Sequence, residues 1–317
     1  ATQSVALSNI GSGKDNETQT ITITAISSDT TLIADPTVNY SSSNADGSLA
    51  YIPKPDQYGS TTITVTVQDD GGTENNGVDQ DTTTFTITVT PVNDVPTITA
   101  LEDLTILEDA SEQTVSLAGI SSGKTNETQT LTVTAVSSDT SLIANPTISY
   151  SSADATGALV YVPKADQHGT ATITVTVQDD GGTTNDGVDL VTTSFGVSVT
   201  SVNDIPTMTT LEDLTILEDA SEQTVSLAGI GSGAANESET LTLTVTSSNT
   251  DLIPDPQLTY TSPGNAGSIS FTPVADNYGA STITIKVADS GGIESGGVDT
   301  LITSFNVAVT AVNDIPV

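Results

Sequence analysis

The chain has 317 residues and sets 40 acidic side chains against five lysines and no arginine, a formal net charge of −35 at pH 7. That balance excludes nucleic acid as a partner, because neutralising phosphate needs a basic face. The absence of cysteine excludes disulfides, thiolate metal sites and a cysteine nucleophile. No apolar run approaches the ~20 residues of a membrane helix, so no membrane insertion is expected in this segment. A charge this large repels the folded state from itself unless the carboxylates are spread out or cations condense on them, and divalent ions fit that need. Acidic chains poor in aromatics can be disordered, but this one is periodic throughout.

One 110-residue unit is repeated without insertion or deletion. Val-Asn-Asp closes each copy, and 110 residues separate Asp94 from Asp204 and Asp204 from Asp314. Residues 101–120 recur unchanged as 211–230. Ala1 aligns with Ser111, so the chain is 13 residues short of three units, and the missing piece matches 98–110, which reads as a first strand. The expected units are therefore 1–97 (first strand missing), 98–207 and 208–317, and the ends read as a window cut from a longer array. The first unit should then present an unprotected edge, expected near residues 3–7. Donor-strand exchange would need a spare strand at one terminus, and neither end carries one.

In chain order, Ile21, Ile23 and Ala25 alternate with Thr20, Thr22 and Thr24, and Ile63, Val65 and Val67 alternate with Thr62, Thr64 and Thr66. Period two with β-branched residues is the strand signal, and no segment offers a sustained helical period. In the second unit strands are expected over 105–107, 113–118, 128–137, 147–151, 158–163, 171–178 and 191–200. The turns between them fall at Ser121-Ser122-Gly123, Asn145-Pro146, Ala155-Thr156-Gly157 and 179–182. About seven short strands in ~110 residues describe an all-β, Greek-key sandwich of two sheets, immunoglobulin-like and repeated end to end. With no Cys pair and no Trp, the core rests on Val, Ile, Leu and a few rings, among them Tyr150, Tyr161 and Phe195 and their counterparts.

Catalysis finds little support. The single histidine, His168, stands where the other copies have Tyr58 and Tyr278, which suits packing or loop capping rather than a general base. No Ser or Thr has a His or Lys at a recurring spacing to activate it. The pair Asp69-Asp70 becomes Asp289-Ser290 in the third copy, against a glycosidase pair. The chain is not expected to be an enzyme.

Calcium is the stronger case, because hard cations take carboxylate, amide and backbone oxygens. Asp56, Asp166 and Asp276 precede an Asx-x-aromatic/His-Gly corner; Asp69, Asp179 and Asp289 end a strand ahead of a turn; Asp94, Asp204 and Asp314 lie in the linkers, two residues before proline. Each motif alone is ordinary turn chemistry. Together they gather carboxylates near one end of each unit and beside the linker.

The wording Val-Asn-Asp-x-Pro-Thr followed by Leu-Glu-Asp-Leu-Thr-Ile-Leu-Glu-Asp-Ala resembles the cadherin-like and immunoglobulin-like tandem repeats of large bacterial surface and secreted proteins. Against cadherins the likeness is partial. Residues 92–96 resemble the Asp-x-Asn-Asp-Asn-x-Pro linker without its first Asp and last Asn; Glu108-Asp109 resembles the early Glu-Asn; residues 177–181 resemble Ala-x-Asp-x-Gly; and Asp166 falls near the Asp-x-Glu position. The Asp-x-Asp of the following domain is missing. This resemblance implies an extracellular or cell-surface stalk, adhesin or filament with calcium at its junctions, one ion per junction rather than three. The expected ligands are Asp56, Asn93 and Asp94 with Asp179 at the first junction, and Glu108, Asp166, Asn203 and Asp204 with Asp289 at the second. The first junction has no counterpart of Glu108 and should bind more weakly.

Other readings remain. Rows such as Thr18, Thr20, Thr22 and Thr24 could form an ice- or glycan-binding face, although threonine is also the ordinary polar β-former. The sequons at Asn16, Asn126 and Asn236 are weak evidence for glycans in a chain of this type. An intramolecular Lys-Asn bond is discounted because no unit keeps a lysine that the others share. Expected partners are neighbouring repeats of a longer array, other copies or cell-surface glycans.

Overall fold

The computed structural model describes residues 1–14 and 17–313. In the first unit β1 (Gln3–Ser8), β4 (Asp46–Tyr51) and β3 (Thr37–Asn39) form one sheet, in the order β1-β4-β3. A second sheet is made by β2 (Ile21–Ser27), β5 (Gly59–Asp69) and β6 (Gln80–Val89), in that order. The second unit begins with an extra strand, β7 (Leu104–Leu107), which runs parallel to β13 (Leu190–Thr200) and makes a four-stranded sheet with β12 (Gly169–Asp179) and β9 (Leu131–Ser137). Its other sheet joins β8 (Gln113–Ala118), β11 (Thr156–Tyr161) and β10 (Thr147–Ser149). The third unit repeats this plan. There β14 (Leu214–Leu217), β20 (Thr300–Thr310), β19 (Gly279–Ala288) and β16 (Thr242–Ser247) face β15 (Gln223–Ala228), β18 (Ala266–Phe271) and β17 (Gln257–Thr259). Apart from β7 and β14, every strand pairs antiparallel. Helical turns among the described residues are single 3-10 segments, at Glu74–Asn76, Thr184–Asp186 and Glu294–Gly296.

Alternation decides which face is buried. On β12, Ala171, Ile173, Val175 and Val177 point into the core, while the threonines between them face outward. They meet Leu117 and Leu159 from the opposite sheet, with Phe195 filling the centre at 2% exposure. Burying a side chain of that size contributes roughly 1.5–3 kcal/mol. The sequence also places Leu101 and Ile98 against this cluster, and Leu211 and Met208 against the third.

The strand expected over 128–137 starts only at Leu131, because the residues before it have other partners. The Thr130 amide donates to Asp180, the Leu131 amide to Ser152, and the Gln129 side chain to the linker. The residues 98–110 expected as one strand divide their pairing. Thr97 bridges Ser121 and the Thr99 amide donates to Ala118 on one sheet, before the chain crosses to β13 on the other.

Residues 3–7 of the first unit lie on β1, an edge strand of its sheet, where Leu7 is half-buried against 1% exposure at Leu117. Residues 3–8 pair fully with β4, as β8 does with β11. The strand that has no counterpart of β7 beside it is β6, since β7 and β14 dock on the last strand of their units. Phe85 and Val89 are accordingly half-buried, where Phe195 and Val199 are 2% and 3% exposed.

Candidate functional site at the junctions between units

The linker enters each following unit through one asparagine. Asn93 Nδ2 donates to Asp179 Oδ1 and to the Val188 carbonyl, both at 2.8 Å, while its Oδ1 accepts from Gln129 Nε2 at 2.8 Å. The Val188 amide in turn donates to the Asn93 carbonyl at 3.1 Å. A carboxamide has two donors and one acceptor oxygen, and this pocket meets both kinds. The Asp-Asp-Gly-Gly turn makes room: a Cβ on Gly181 would overlap Asn93 Oδ1. One residue on, the Asp94 amide donates to Glu127 Oε1 at 2.8 Å, and the other oxygen of Glu127 accepts from the Lys124 amide at 3.2 Å. A single carboxylate thus ties the linker to the turn that starts the unit.

The second junction repeats this frame with altered contents. Asn203 Nδ2 donates to Asp289 Oδ1 at 3.0 Å and to the Val298 carbonyl at 2.9 Å, and the Asp204 amide donates to Glu237 Oε1 at 2.7 Å. Gln129 is replaced here by Glu239, which cannot donate as a carboxylate, and both Asn203 Oδ1 and Glu239 Oε2 are buried without a partner. Across from the linker stand Glu108, Asp109 and Asp166. Glu108 is 2% exposed; its Oε1 accepts from the Val202 amide at 2.6 Å and its Oε2 from Asn236 Nδ2 at 3.0 Å. His168 Nδ1 lies 3.8 Å from Glu108 Oε2 and 3.3 Å from Asn236 Nδ2.

Carboxylate oxygens of Asp109, Asp166 and Asp204 converge within 4.8 Å of one another. Asp109 and Asp166 hold left-handed backbone, at φ 59° and 54°, and the Asp166 amide donates to Asp109 Oδ1 at 3.1 Å. Asp tolerates that region better than most residues, at some cost in strain. Burial and then the carboxylates of Glu237, Asp109, Asp166 and Glu108 push the Asp204 pKa from 3.8 up to about 6. Its Oδ2 is buried and has no hydrogen-bond partner. Three acids meeting without a lysine form a site that favours a cation or a proton.

The first junction is milder. Asp56 also has left-handed backbone, at φ 57°, but Lys124 Nζ lies 3.3 Å from its carboxylate, where the second junction has Ala234. The open cleft here, about 700 Å³, is lined by Asp56, Tyr58, Asn93, Asp94 and Asp180 among others. The third unit repeats the outer half of the site, with Glu218 4% exposed and bonded to the Val312 amide, and the Asp276 amide donating to Asp219. The linker position Asp314 lies outside the described residues.

Of the residues expected from sequence, Asp166 and Asp204 share the acidic cluster and Glu108 stands beside it. Asn93 with Asp179, and Asn203 with Asp289, form a separate contact in which the amide hydrogens occupy one carboxylate oxygen. Gly181 and Gly291 donate to that same oxygen, leaving Asp179 Oδ2 and Asp289 Oδ2 buried and unpaired. Asp56 and Asp94 face the first cleft together with Glu127 and Asp180, but no three acids there bring their oxygens within 4.8 Å of one another among the described residues. Asp109, Glu127, Glu237 and Asn236 are not among the ligands expected from sequence. Asp109 was in view as the neighbour of Glu108, and the repeated Asn-Glu-Thr/Ser read as a glycan sequon is where the linker is held.

The family model for the bacterial Ig domain matches residues 93–192. No curated protein matches the chain. Among solved structures it is similar in fold to PcdhgB3 EC1-4, at 13% identity over 92% of this chain and 67% of that one, with a TM-score of 0.46. Mouse cadherin-23 EC22-24 gives 14% identity over 92% and 86%, with a TM-score of 0.40. Drosophila N-cadherin EC1-4 gives 13% identity over 94% and 68%, with a TM-score of 0.35. With a bacterial Ig domain matched in one copy and the same strands recurring at 110-residue spacing, the chain is a tandem array of all-β, immunoglobulin-like sandwiches.

Proposed function

We propose that the chain is a structural segment of an extracellular stalk, adhesin or filament, divided into units at 97/98 and 207/208, whose junctions are stiffened by calcium. The observation that carries this reading is the convergence of Asp109 and Asp166 from one unit with Asp204 from the linker into the next, with Asp204 Oδ2 buried and unpaired. An oxygen-rich, anionic donor set of this kind suits a hard divalent cation. Asp109, Asp166 and Asp204 would hold it, with the buried Glu108 beside them. Bound there, calcium supplies the positive charge that relieves the mutual repulsion of these acids. The linker is already fastened to the following unit through Asn203 and Glu237. Joining Asp204 to Asp109 and Asp166 would fasten it to the preceding unit as well, which removes the remaining freedom to bend.

Titrating calcium into the chelated chain tests this, with melting temperature and the length from solution scattering as readouts. Binding should stabilise the folded state by about 2.7 kcal/mol when free calcium is a hundredfold above its dissociation constant. Asp204→Ala should abolish both responses. An unchanged melting temperature and length at millimolar calcium would sink the calcium reading and leave an acidic rod held by packing.

A second reading, adhesion through a threonine face, draws on register in the first unit. Thr24, Thr66 and Thr82 align across β2, β5 and β6, with Thr64 opposite Thr84 and Thr62 opposite Thr86. Binding to glycan or ice that Thr64→Lys and Thr84→Lys remove would favour it; retained binding would dismiss that face.

A further inference from the structure

In the second and third units the first strand lies beside the last and runs in the same direction. Tension on an array enters a unit through the linker before its first strand and leaves through the linker after its last. In the second unit these points are residues 93–97, which lead into β7, and Ser201, which follows β13. The two pulls therefore act in opposite directions along parallel, hydrogen-bonded strands, which is shear. Bonds of a parallel pair are evenly spaced, so they share the load, whereas strands peeled from one end lose their bonds one at a time.

Side chains fasten the pair at both ends. Its register runs from Leu104 opposite Val197 to Leu107 opposite Thr200. Ahead of it the Gly196 amide donates to Asp103 Oδ1 at 2.5 Å. Beyond it the Glu108 amide donates to the Thr200 carbonyl at 2.8 Å, and the Val202 amide donates to Glu108 Oε1 at 2.6 Å. Thr200 Oγ1 adds a bond to the Ile106 carbonyl at 3.1 Å. The third unit repeats every one of these. There the Asn306 amide donates to Asp213 Oδ1 at 2.7 Å, the Glu218 amide to the Thr310 carbonyl at 3.0 Å, the Val312 amide to Glu218 Oε1 at 2.7 Å, and Thr310 Oγ1 to the Ile216 carbonyl at 3.1 Å. Hydrogen bonds to an ionised carboxylate are among the stronger ones, and Glu108 and Glu218 are only 2% and 4% exposed. Leu104 and Ile106 pack against the core, so sliding β7 along β13 would also drag apolar side chains out of it. The other oxygen of Glu108 accepts from Asn236 of the following unit at 3.0 Å, which leads the load onward.

We infer that the β7/β13 and β14/β20 pairs are shear clamps that carry tension along the array, with Asp103 and Glu108, and Asp213 and Glu218, as their end fastenings. This deepens the stalk reading and rests on it, since a clamp of this kind serves a chain under pull. It gives these acids a task that involves no ion.

The test pulls single molecules of the whole chain by its two ends, in chelator, and records the force and length of each unfolding event. Asp103→Ala combined with Thr200→Val should move one event to lower force, equivalent to about tenfold faster unfolding at a given pull. Adding Asp213→Ala and Thr310→Val should move a second event. Asp103→Asn keeps an acceptor oxygen and should keep most of the force. Leu159→Ala, in the core on β11 and outside the pair, should lower the melting temperature more than the fastening variants do, yet lower the force less. Fastening variants that leave every event in place, or forces that simply follow melting temperature across all the variants, would overturn the inference. With no calcium present, these outcomes stand apart from the calcium titration that tests the stalk reading.

Discussion

Replacing Asn93 and Asn203 separately by alanine should give unequal losses. Asn93→Ala removes three side-chain bonds, to Asp179, Val188 and from Gln129, and leaves those groups partly buried. At roughly 0.5–1.5 kcal/mol for each neutral bond and more for the one to a carboxylate, discounted for partial exposure, the expected loss is about 2–4 kcal/mol. Asn203→Ala removes only the bonds to Asp289 and Val298, since Asn203 Oδ1 has no partner opposite Glu239. Its loss should be smaller by about 1 kcal/mol, or about 4–8 °C in melting temperature for a domain of this size. Calorimetry on the chelated chain reads the transitions. Amide exchange assigns them, because the Val188 and Val298 amides donate to the Asn93 and Asn203 carbonyls and should open first. Glu239→Gln on the parent chain should restore the missing donor and stabilise the third unit. Equal losses at the two positions, a larger loss at Asn203, or a destabilising Glu239→Gln would refute the hydrogen-bond account.

Gly181→Ala places a methyl group where Asn93 Oδ1 sits, so it should cost as much as Asn93→Ala, and the double variant should lose little more than either single one in a mutant cycle. With calcium chelated, stability should rise as pH falls from about 7 toward 4. The folded Asp204 pKa of about 6 lies above its usual 3.8, so the folded chain binds in that window a proton that the unfolded chain has lost. Thermal melts across pH should show this rise, Asp204→Asn should flatten it, and calcium should reverse it by competing with the proton. Phe195→Ala should cost about 3–5 kcal/mol in denaturant unfolding, and Phe85→Ala clearly less, because Phe85 is only half-buried beside the uncovered β6 edge.

Strands were legible because their signal is local. Alternation at 171–178 and 191–200 put β12 and β13 within two residues of their observed ends. Two features were not. The start of β9 was placed too early because Glu127 and Gln129 spend their side chains on a linker more than thirty residues away in sequence, and nothing in their own window records that. That β6 is bare as well as β1 is not legible, because a first strand can border either sheet; only the parallel register of β7 on β13 decides. For the site, repeated acids at turns led to Asp166 and Asp204. They did not separate acids that face each other from acids that accept amide hydrogens, as Asp179 and Asp289 do. That distinction needs the direction of the asparagine side chain, which spacing does not contain.

Identical repeat length conceals junctions of different electrostatic character. Between the first and second, Lys124 becomes Ala234 and Gln129 becomes Glu239, each making the second more negative by one charge, while Tyr58 becomes His168 beside Glu108. At the first, Lys124 and Asp56 form an ion pair about half exposed on both sides, worth at most about 1 kcal/mol and screened by salt. At the second no lysine lies within reach of Asp109, Asp166 or Asp204 among the described residues, so their repulsion is relieved only by a proton or a cation from solution. The asparagine clamp is common to both and fixes each linker to the unit that follows. Freedom to bend is therefore confined to the side facing the preceding unit, which is the side the acids line. On the calcium reading, calcium and pH should accordingly act more on the second junction than on the first, where Lys124 already offsets the charge of Asp56.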